Sequence, residues 1–131
     1  MANCDIIELL GNAGDPVRYT CATAIAKGDL LKISADRTVA AHAAAADEPI
    51  AGVAAMETDG TETSISVYTN GIFDITAAAA GAVTLGNLCA CSATAQMITA
   101  ADANDLLQGS VVGMCLEETD NDETAAVRIL K

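Results

Sequence analysis

Two stretches of the sequence, PIAGVAAMETDGTETSISVYT at residues 49–69 and SVVGMCLEETDNDETAAVRIL at residues 110–130, align with each other without a gap. Their offset is constant at 61 residues (113 − 52 = 61), and none of the identities is an alanine, so the match does not arise from the Ala-rich composition. The identical pairs are Gly52/Gly113, Glu57/Glu118, Thr58/Thr119, Asp59/Asp120, Glu62/Glu123 and Thr63/Thr124.

A second match lies upstream, where residues 24–34 align with residues 82–92 at an offset of 58 (86 − 28 = 58). It again pairs a turn glycine, Gly28 with Gly86, and a leucine, Leu30 with Leu88. The two offsets differ by three, so the second copy is expected to carry three extra residues between its two parts. The sequence therefore predicts one β module that has been duplicated.

Each copy has the pattern of a β-hairpin. Residues 64–68 alternate polar and apolar side chains, which places the apolar ones on one face of a sheet, and Val127 and Ile129 flank Arg128 in the second copy. Asp-Gly and Asp-Asn pairs, at 59–60 and 120–121, tolerate tight turns. The predicted hairpins join residues 50–57 to 61–69 and residues 111–118 to 122–130.

Further turns are predicted at residues 27–29 and 36–38, and at Asn70-Gly71 ahead of the apolar residues 72–75. The connections at 40–46 and 93–108 are rich in alanine, and Asp102 to Asp105 can cap a brief turn of helix in the second one. Strands separated by turns at these intervals favour an all-β fold, a small barrel or sandwich.

The predicted organisation is an N-terminal arm at residues 1–14 and a single β domain at residues 15–131. The domain has two related halves, about 24–69 and 82–130. The arm has no counterpart in the duplicated unit and carries a detached apolar patch followed by a glycine-containing segment. We expect this patch to contact another protein surface, either a sister copy or the partner on which the protein assembles. Its residues are Ile6, Ile7, Leu9 and Leu10.

Composition limits the classes of function. The net charge of −12, from 18 acidic and 6 basic residues, opposes direct binding to nucleic acid. Two small halves with one Phe, two Tyr and no Trp build a modest core, so an oligomer is expected. The chain shows neither a basic, apolar leader nor a membrane-spanning run, and is expected to be made and assembled in a cytoplasm.

No motif for catalysis or cofactor binding is evident. The acidic turn at residues 120–123 offers oxygen ligands for calcium, but it lacks the EF-hand spacing, and a solvated turn is favoured. Five cysteines without a disulfide pattern, and one histidine, His42, are too few and too scattered for a structural zinc site or a nucleophile with its base. No enzyme, metal or cofactor is therefore expected.

The order of glycine- and valine-rich segments from about residue 15 to residue 131 resembles the capsid cement, or head decoration, proteins of tailed bacteriophages. The segments that carry the resemblance are Gly28-Asp29-Leu30-Leu31, Ile50-Ala51-Gly52-Val53-Ala54, Val67-Tyr68-Thr69-Asn70-Gly71-Ile72-Phe73, Ala80-Gly81-Ala82-Val83, Val111-Val112-Gly113-Met114-Cys115-Leu116 and Val127-Arg128-Ile129.

The resemblance implies a small β-rich virion protein without catalytic residues, which forms a homotrimer on the outer surface of the phage head. Its implied partner is the major capsid protein, and its implied role is to stabilise the expanded shell. Two alternatives stay open: a tail- or fibre-associated virion protein, and a small β binding module. A carbohydrate-binding module commonly stacks sugars on exposed aromatic rings, for which a chain without Trp is poorly equipped.

Overall fold

The structure is a computed structural model that describes residues 5–8, 16–42, 48–78, 82–92 and 97–130. Strands dominate the described residues, and one short helix interrupts them. The elements are β1 (Asp5–Glu8), β2 (Val17–Cys21), β3 (Ala24–Ile25), β4 (Leu30–Ala35), β5 (Thr38–Ala41), β6 (Ile50–Ala54), β7 (Thr58–Asp59), β8 (Ser64–Tyr68), β9 (Asn70–Ala77), β10 (Leu88–Cys91), β11 (Met97–Ala100), α1 (Ala103–Gln108), β12 (Val111–Cys115) and β13 (Thr124–Leu130).

The first half of the chain forms a closed barrel in the order β2-β5-β4-β6-β8. Strand β2 runs parallel to β5 and antiparallel to β8, and this double pairing closes the barrel. Small and branched apolar side chains fill the interior, as the scarcity of aromatic residues predicted. They are Cys21, Ile25, Leu31, Val39, Ala51, Ala54, Ile65 and Val67.

The second half repeats this barrel in the order β9-β11-β10-β12-β13, closed by the pairing of β13 with β9. Strand β9 runs parallel to β11 and antiparallel to β13, as β2 does to its two neighbours. Strand β1 adds a sixth strand by pairing with β9. The all-β prediction is thus confirmed, in the form of two small barrels.

The two barrels also agree in their irregularities. A β-bulge separates Leu31 from Lys32 in the pairing of β4 with β6, and a bulge separates Cys89 from Ala90 in the pairing of β10 with β12. Strand β3 pairs with β7 in the first barrel, and the Val83–Thr119 bridge takes the same place in the second. The duplication predicted from the sequence therefore extends to local backbone defects.

The gapless alignment of the two copies is wrong by one residue in the last strand. Ala54 pairs with Val67 in the first barrel, whereas Cys115 pairs with Val127 in the second, so the offset there is 60 (127 − 67 = 60). In the turn before this strand the offset is still 61. The amide of Asp59 donates a hydrogen bond to Glu62, and the amide of Asp120 donates the equivalent bond to Glu123, so donor and acceptor each lie 61 positions from their counterparts. Because Ser64 pairs with Thr20 as Thr124 pairs with Thr76, the offset of 60 already holds at Ser64, and Thr63 is the extra residue of the first copy.

The prediction of a turn at Asn70-Gly71 is also wrong. Both residues belong to β9, where they pair with Leu130 and Ile129 of β13. The chain passes from β8 to β9 through Thr69 alone. No reversal occurs there because β8 closes the first barrel and β9 opens the second.

Three other local predictions are confirmed, whereas the connections predicted at residues 40–46 and 93–108 are wrong in part. Ala40 and Ala41 belong to β5 and residues 97–100 form β11, while residues 43–46 and 93–96 lie outside the described residues. The predicted hairpin legs pair as β6 with β8 and β12 with β13, and Gly28 and Arg37 take positive φ in the two early turns. Asp102 caps α1 by accepting hydrogen bonds from the amides of Asn104 and Asp105. Gly109 ends the helix in the left-handed conformation.

The repeated glycine has a steric cause in both barrels. A Cβ atom on Gly52 would collide with the carbonyl oxygen of Tyr68, and one on Gly113 would collide with that of Arg128. Neighbouring strands thus approach each other too closely at this point for any side chain. The identity of Gly52 and Gly113 follows from this shared close approach to the last strand of each barrel.

Candidate interaction surfaces

One outer face of the first barrel is covered by the second barrel. Leu30, Ile50 and Val53 point away from the interior of the first barrel and are buried in the core cluster of the second. Tyr68 joins them, because it is the cross-strand partner of Val53, and its ring lies 5.8 Å from that of Phe73 in the second barrel. We call these four residues, Leu30, Ile50, Val53 and Tyr68, the covered face.

The backbone reinforces this contact between the barrels. The amide of Ile50 donates a hydrogen bond of 3.0 Å to the carbonyl of Gly109, which ends α1. Phe73 is fully buried at the contact, and its ring packs at a tilt against Tyr68, a favourable arrangement for two aromatic side chains. The two barrels are thus fixed to each other by an apolar contact and by main-chain pairing.

The equivalent face of the second barrel is open. The registers of the shared bulge match Leu30 with Leu88, Ile50 with Val111 and Val53 with Met114, and the last strand matches Tyr68 with Arg128. We call Leu88, Val111, Met114 and Arg128 the open face.

The open face lines a depression that no described part of the chain fills. Leu88 is 38% exposed and Met114 is 43% exposed, whereas their counterparts in the first barrel are at most 1% exposed. The depression has a volume of about 420 Å³ and is bordered by Leu106 of α1, which is 63% exposed. Neighbouring exposed apolar side chains that border one depression are typical of an interaction surface.

The residues predicted to contact a partner are different ones, near the N-terminus of the sequence. Ile6 and Ile7 belong to β1, whose backbone pairs with β9 in the second barrel. Leu9 and Leu10 lie outside the described residues. The structure brings the first two to the edge of the second barrel, and the contact predicted for all four stays a prediction.

The acidic turns use their carboxylates to hold their own backbone. Asp59 accepts hydrogen bonds from the hydroxyl and the amide of Thr61, and these bonds lower the pKa of its carboxyl group. Glu62 and Glu123 each accept from the amide three residues earlier. In the described part of the chain, no group of three or more His, Cys, Asp or Glu residues is placed to hold a metal ion.

Three of the described cysteines and the histidine are buried in the structure. Burial raises the pKa of the Cys115 thiol, which donates a hydrogen bond to the carbonyl of Glu117. His42 is buried beside the Lys32–Glu48 ion pair, and its burial lowers its pKa despite the nearby carboxylate. Cys21 and Cys89 are buried, in accord with packing roles.

The sequence patterns did not predict the open face. Its signal was present, because Leu30 and Leu88 are an identical pair in the alignment of the copies. What the sequence does not contain is the placement of one barrel on the other, which buries the first leucine and leaves the second exposed.

Across the ranges that the structure describes, no helix is long and apolar enough to span a bilayer.

Comparisons with known proteins agree with the fold. The structure is similar to the crystal structure of the head fiber gp8.5 N base in bacteriophage phi29, with a TM-score of 0.55 and 14% sequence identity. The match covers 87% of this chain and 92% of that one, and at this identity it concerns the fold alone. A search of curated proteins gave no match.

The family comparison covers both barrels. The sequence profile described as phage cement protein matches residues 12–130, which include every described strand except β1. This span leaves out only the start of the chain and its last residue. The chain therefore belongs to the phage cement protein family and is a capsid-associated structural protein of the virion.

Proposed function

We propose that this protein is a non-enzymatic decoration protein that binds the outer surface of the phage head and stabilises the expanded shell. The observation that carries the proposal is the family match over residues 12–130, which spans both barrels. The proposed partners are the major capsid protein and further copies of this chain, arranged as a homotrimer and added in the host cytoplasm.

The charge of the protein supports an exterior position. A net charge of −12 repels packaged nucleic acid, which is itself a dense polyanion, so a place on the outside of the shell avoids this repulsion. The same charge keeps unbound copies soluble at the concentrations that decoration of a whole head requires. Neither barrel needs a cofactor for such a role.

The proposed mechanism is linkage between binding and shell stability. A protein that binds the expanded lattice, but not its separated subunits, stabilises that lattice by the free energy of binding. Because many copies bind one shell, a modest affinity per copy is sufficient. The apolar residues Ile6, Ile7, Leu9 and Leu10 are proposed to contribute to contacts with the capsid or with sister copies.

Co-sedimentation with purified heads tests the proposal. The protein is mixed at rising concentration with expanded heads that lack decoration and, as the matched control, with unexpanded heads. We expect saturable binding to expanded heads alone, and a higher temperature of shell rupture at saturation. Absence of binding to expanded heads would contradict the decoration role and would favour the alternative of a tail- or fibre-associated virion protein.

Deletion of residues 2–11 tests the proposed arm contact. Because β1 pairs with β9, the free energy of unfolding of the truncated protein is measured alongside its occupancy on heads. Lower occupancy by a truncated protein that remains folded supports the contact. Unchanged occupancy would eliminate it.

A further inference from the structure

We infer that the open face of the second barrel is the docking site for the first barrel of another copy of this chain. The open face is Leu88, Val111, Met114 and Arg128, in the depression bordered by Leu106. The inference rests on the proposed self-association and identifies the surfaces that carry it. It follows from what covers the equivalent face within one chain.

Within the chain, that equivalent face has a known occupant. Leu30, Ile50 and Val53 are at most 4% exposed, because the second barrel lies over them and takes them into its own core cluster. The two barrels share strand order, register and bulge, so the same outer face exists in both. Another barrel of the same type is therefore the partner that we expect to bind to the open face.

The contact within the chain joins different surfaces of the two barrels. Tyr68 of the covered face packs on Phe73, which belongs to the first strand of the second barrel. If the two barrels met through the same face on each, the open face would be buried along with the covered one. Its exposure identifies the arrangement as head-to-tail, which leaves one unused surface at each end of a chain.

The second unused surface is visible on the first barrel. Val17 is the counterpart of Phe73, because Val17 pairs with Val67 as Phe73 pairs with Val127. Phe73 is fully buried, whereas Val17 is 40% exposed. Within one chain, Phe73 of the second barrel packs on Tyr68 and Val53 of the first. In the proposed contact, Val17 of a second copy packs in the same way on the equivalent residues, Arg128 and Met114.

The chain path is compatible with this arrangement. Within one chain the end of β8 leads through Thr69 directly into the start of β9. In the proposed contact, the end of β13 in one copy lies beside the start of β2 in the next copy. The two strand ends are arranged like those of β8 and β9, but no peptide bond joins them. A head-to-tail contact that closes gives a ring in which first and second barrels alternate, and three copies would give six barrels.

Charge substitution in the depression tests the surface. Leu106→Glu and Met114→Glu each place a carboxylate in the proposed contact, whereas Leu107→Glu is the matched control, because Leu107 is 84% exposed and does not line the depression. By sedimentation velocity, we expect the wild type and Leu107→Glu to associate equally. The dissociation constant should rise at least about tenfold in the other two variants. Equal association of all four proteins would overturn the inference.

Cysteine crosslinking tests the head-to-tail geometry, in solution and on decorated heads. Copies carrying Val17→Cys and copies carrying Met114→Cys should form a disulfide-linked dimer when mixed, and neither should do so alone. A dimer from Met114→Cys alone, or no new dimer in either setting, would overturn the inference. Head binding by copies that never crosslink would leave the decoration role intact, whereas crosslinking without head binding would contradict only that role.

Discussion

The two barrels share a strand order, a parallel closure and a bulge, yet one of their equivalent outer faces is buried and the other is exposed to solvent. In the first barrel Leu30 and Val53 are buried under the second barrel, and in the second barrel Leu88 and Met114 face solvent. The difference arises from position in the chain rather than from the fold of either unit. A duplicated unit that packs head-to-tail always leaves one contact unfilled at each end, as terminal repeats do in repeat proteins.

The largest contrast is expected for the two matched leucines. Leu30→Ala should lower the free energy of unfolding by about 2–5 kcal/mol, because Leu30 is fully buried and its loss leaves a cavity. Leu88→Ala should lower it by less than about 1 kcal/mol, since Leu88 is exposed. Urea denaturation below the concentration at which copies associate makes the comparison. Equal losses would contradict the assignment of covered and open faces.

The repeated glycines should, by contrast, behave alike. Gly52→Ala and Gly113→Ala should each lower the free energy of unfolding by about 3 kcal/mol, because either Cβ would strike the carbonyl of the neighbouring strand. Gly86→Ala is the control, since a Cβ there meets no atom and only the positive φ is penalised, by about 1 kcal/mol. A tolerated substitution at Gly52 or Gly113 would refute the shared close approach.

A smaller effect is expected at the N-terminal cap of α1 in the second copy. Asp102→Ala should lower the free energy of unfolding by about 1 kcal/mol, because two amides of the first turn of α1 lose their acceptor. Asp102→Asn keeps an acceptor oxygen and should have little effect. Hydrogen exchange should place the loss in α1 and β12, and equal protection in the two variants would contradict the role of the cap.

The smallest difference expected between the barrels concerns pH. His42 in the first barrel is buried, and its amide donates to the carbonyl of Leu30; Ala101 takes the same place in the second barrel, donating to Leu88. Burial lowers the pKa of His42 in the folded state, so below its unfolded pKa of about 6.5 the unfolded chain binds a proton that the folded chain does not.

The free energy of unfolding should therefore fall as the pH drops from 7 through that range. The dependence should be weaker in His42→Gln, since the chain contains no other histidine. Chemical denaturation at several pH values above 5, where carboxylates remain ionised, makes the measurement. Identical slopes in the two proteins would show that His42 does not have a depressed pKa.

Local patterns in the sequence predicted much of this fold. The two long hairpins and the Asp102 cap depend on residues close together in the chain, and the duplication is visible directly as a repeated stretch of sequence. All three are confirmed. The closure of each barrel by a parallel pairing was not predicted, because it joins strands distant in sequence whose hydrophobic pattern fits several neighbours.

Two other features also lay beyond the sequence pattern. The Asn70-Gly71 pair has the composition of a turn, but its pairing with β13 holds it in an extended strand. The open face depends on how one barrel packs on the other, and Leu30 and Leu88 are the same residue type in the same motif. Exposure at such a pair is decided by tertiary contacts alone.

Cryo-electron microscopy of expanded heads incubated with saturating protein is the most direct test of the decoration role. We predict density for the two barrels of each copy on the outer surface of the shell, at repeated positions of the capsid lattice. Heads that show no added density outside the shell at saturation would contradict the account.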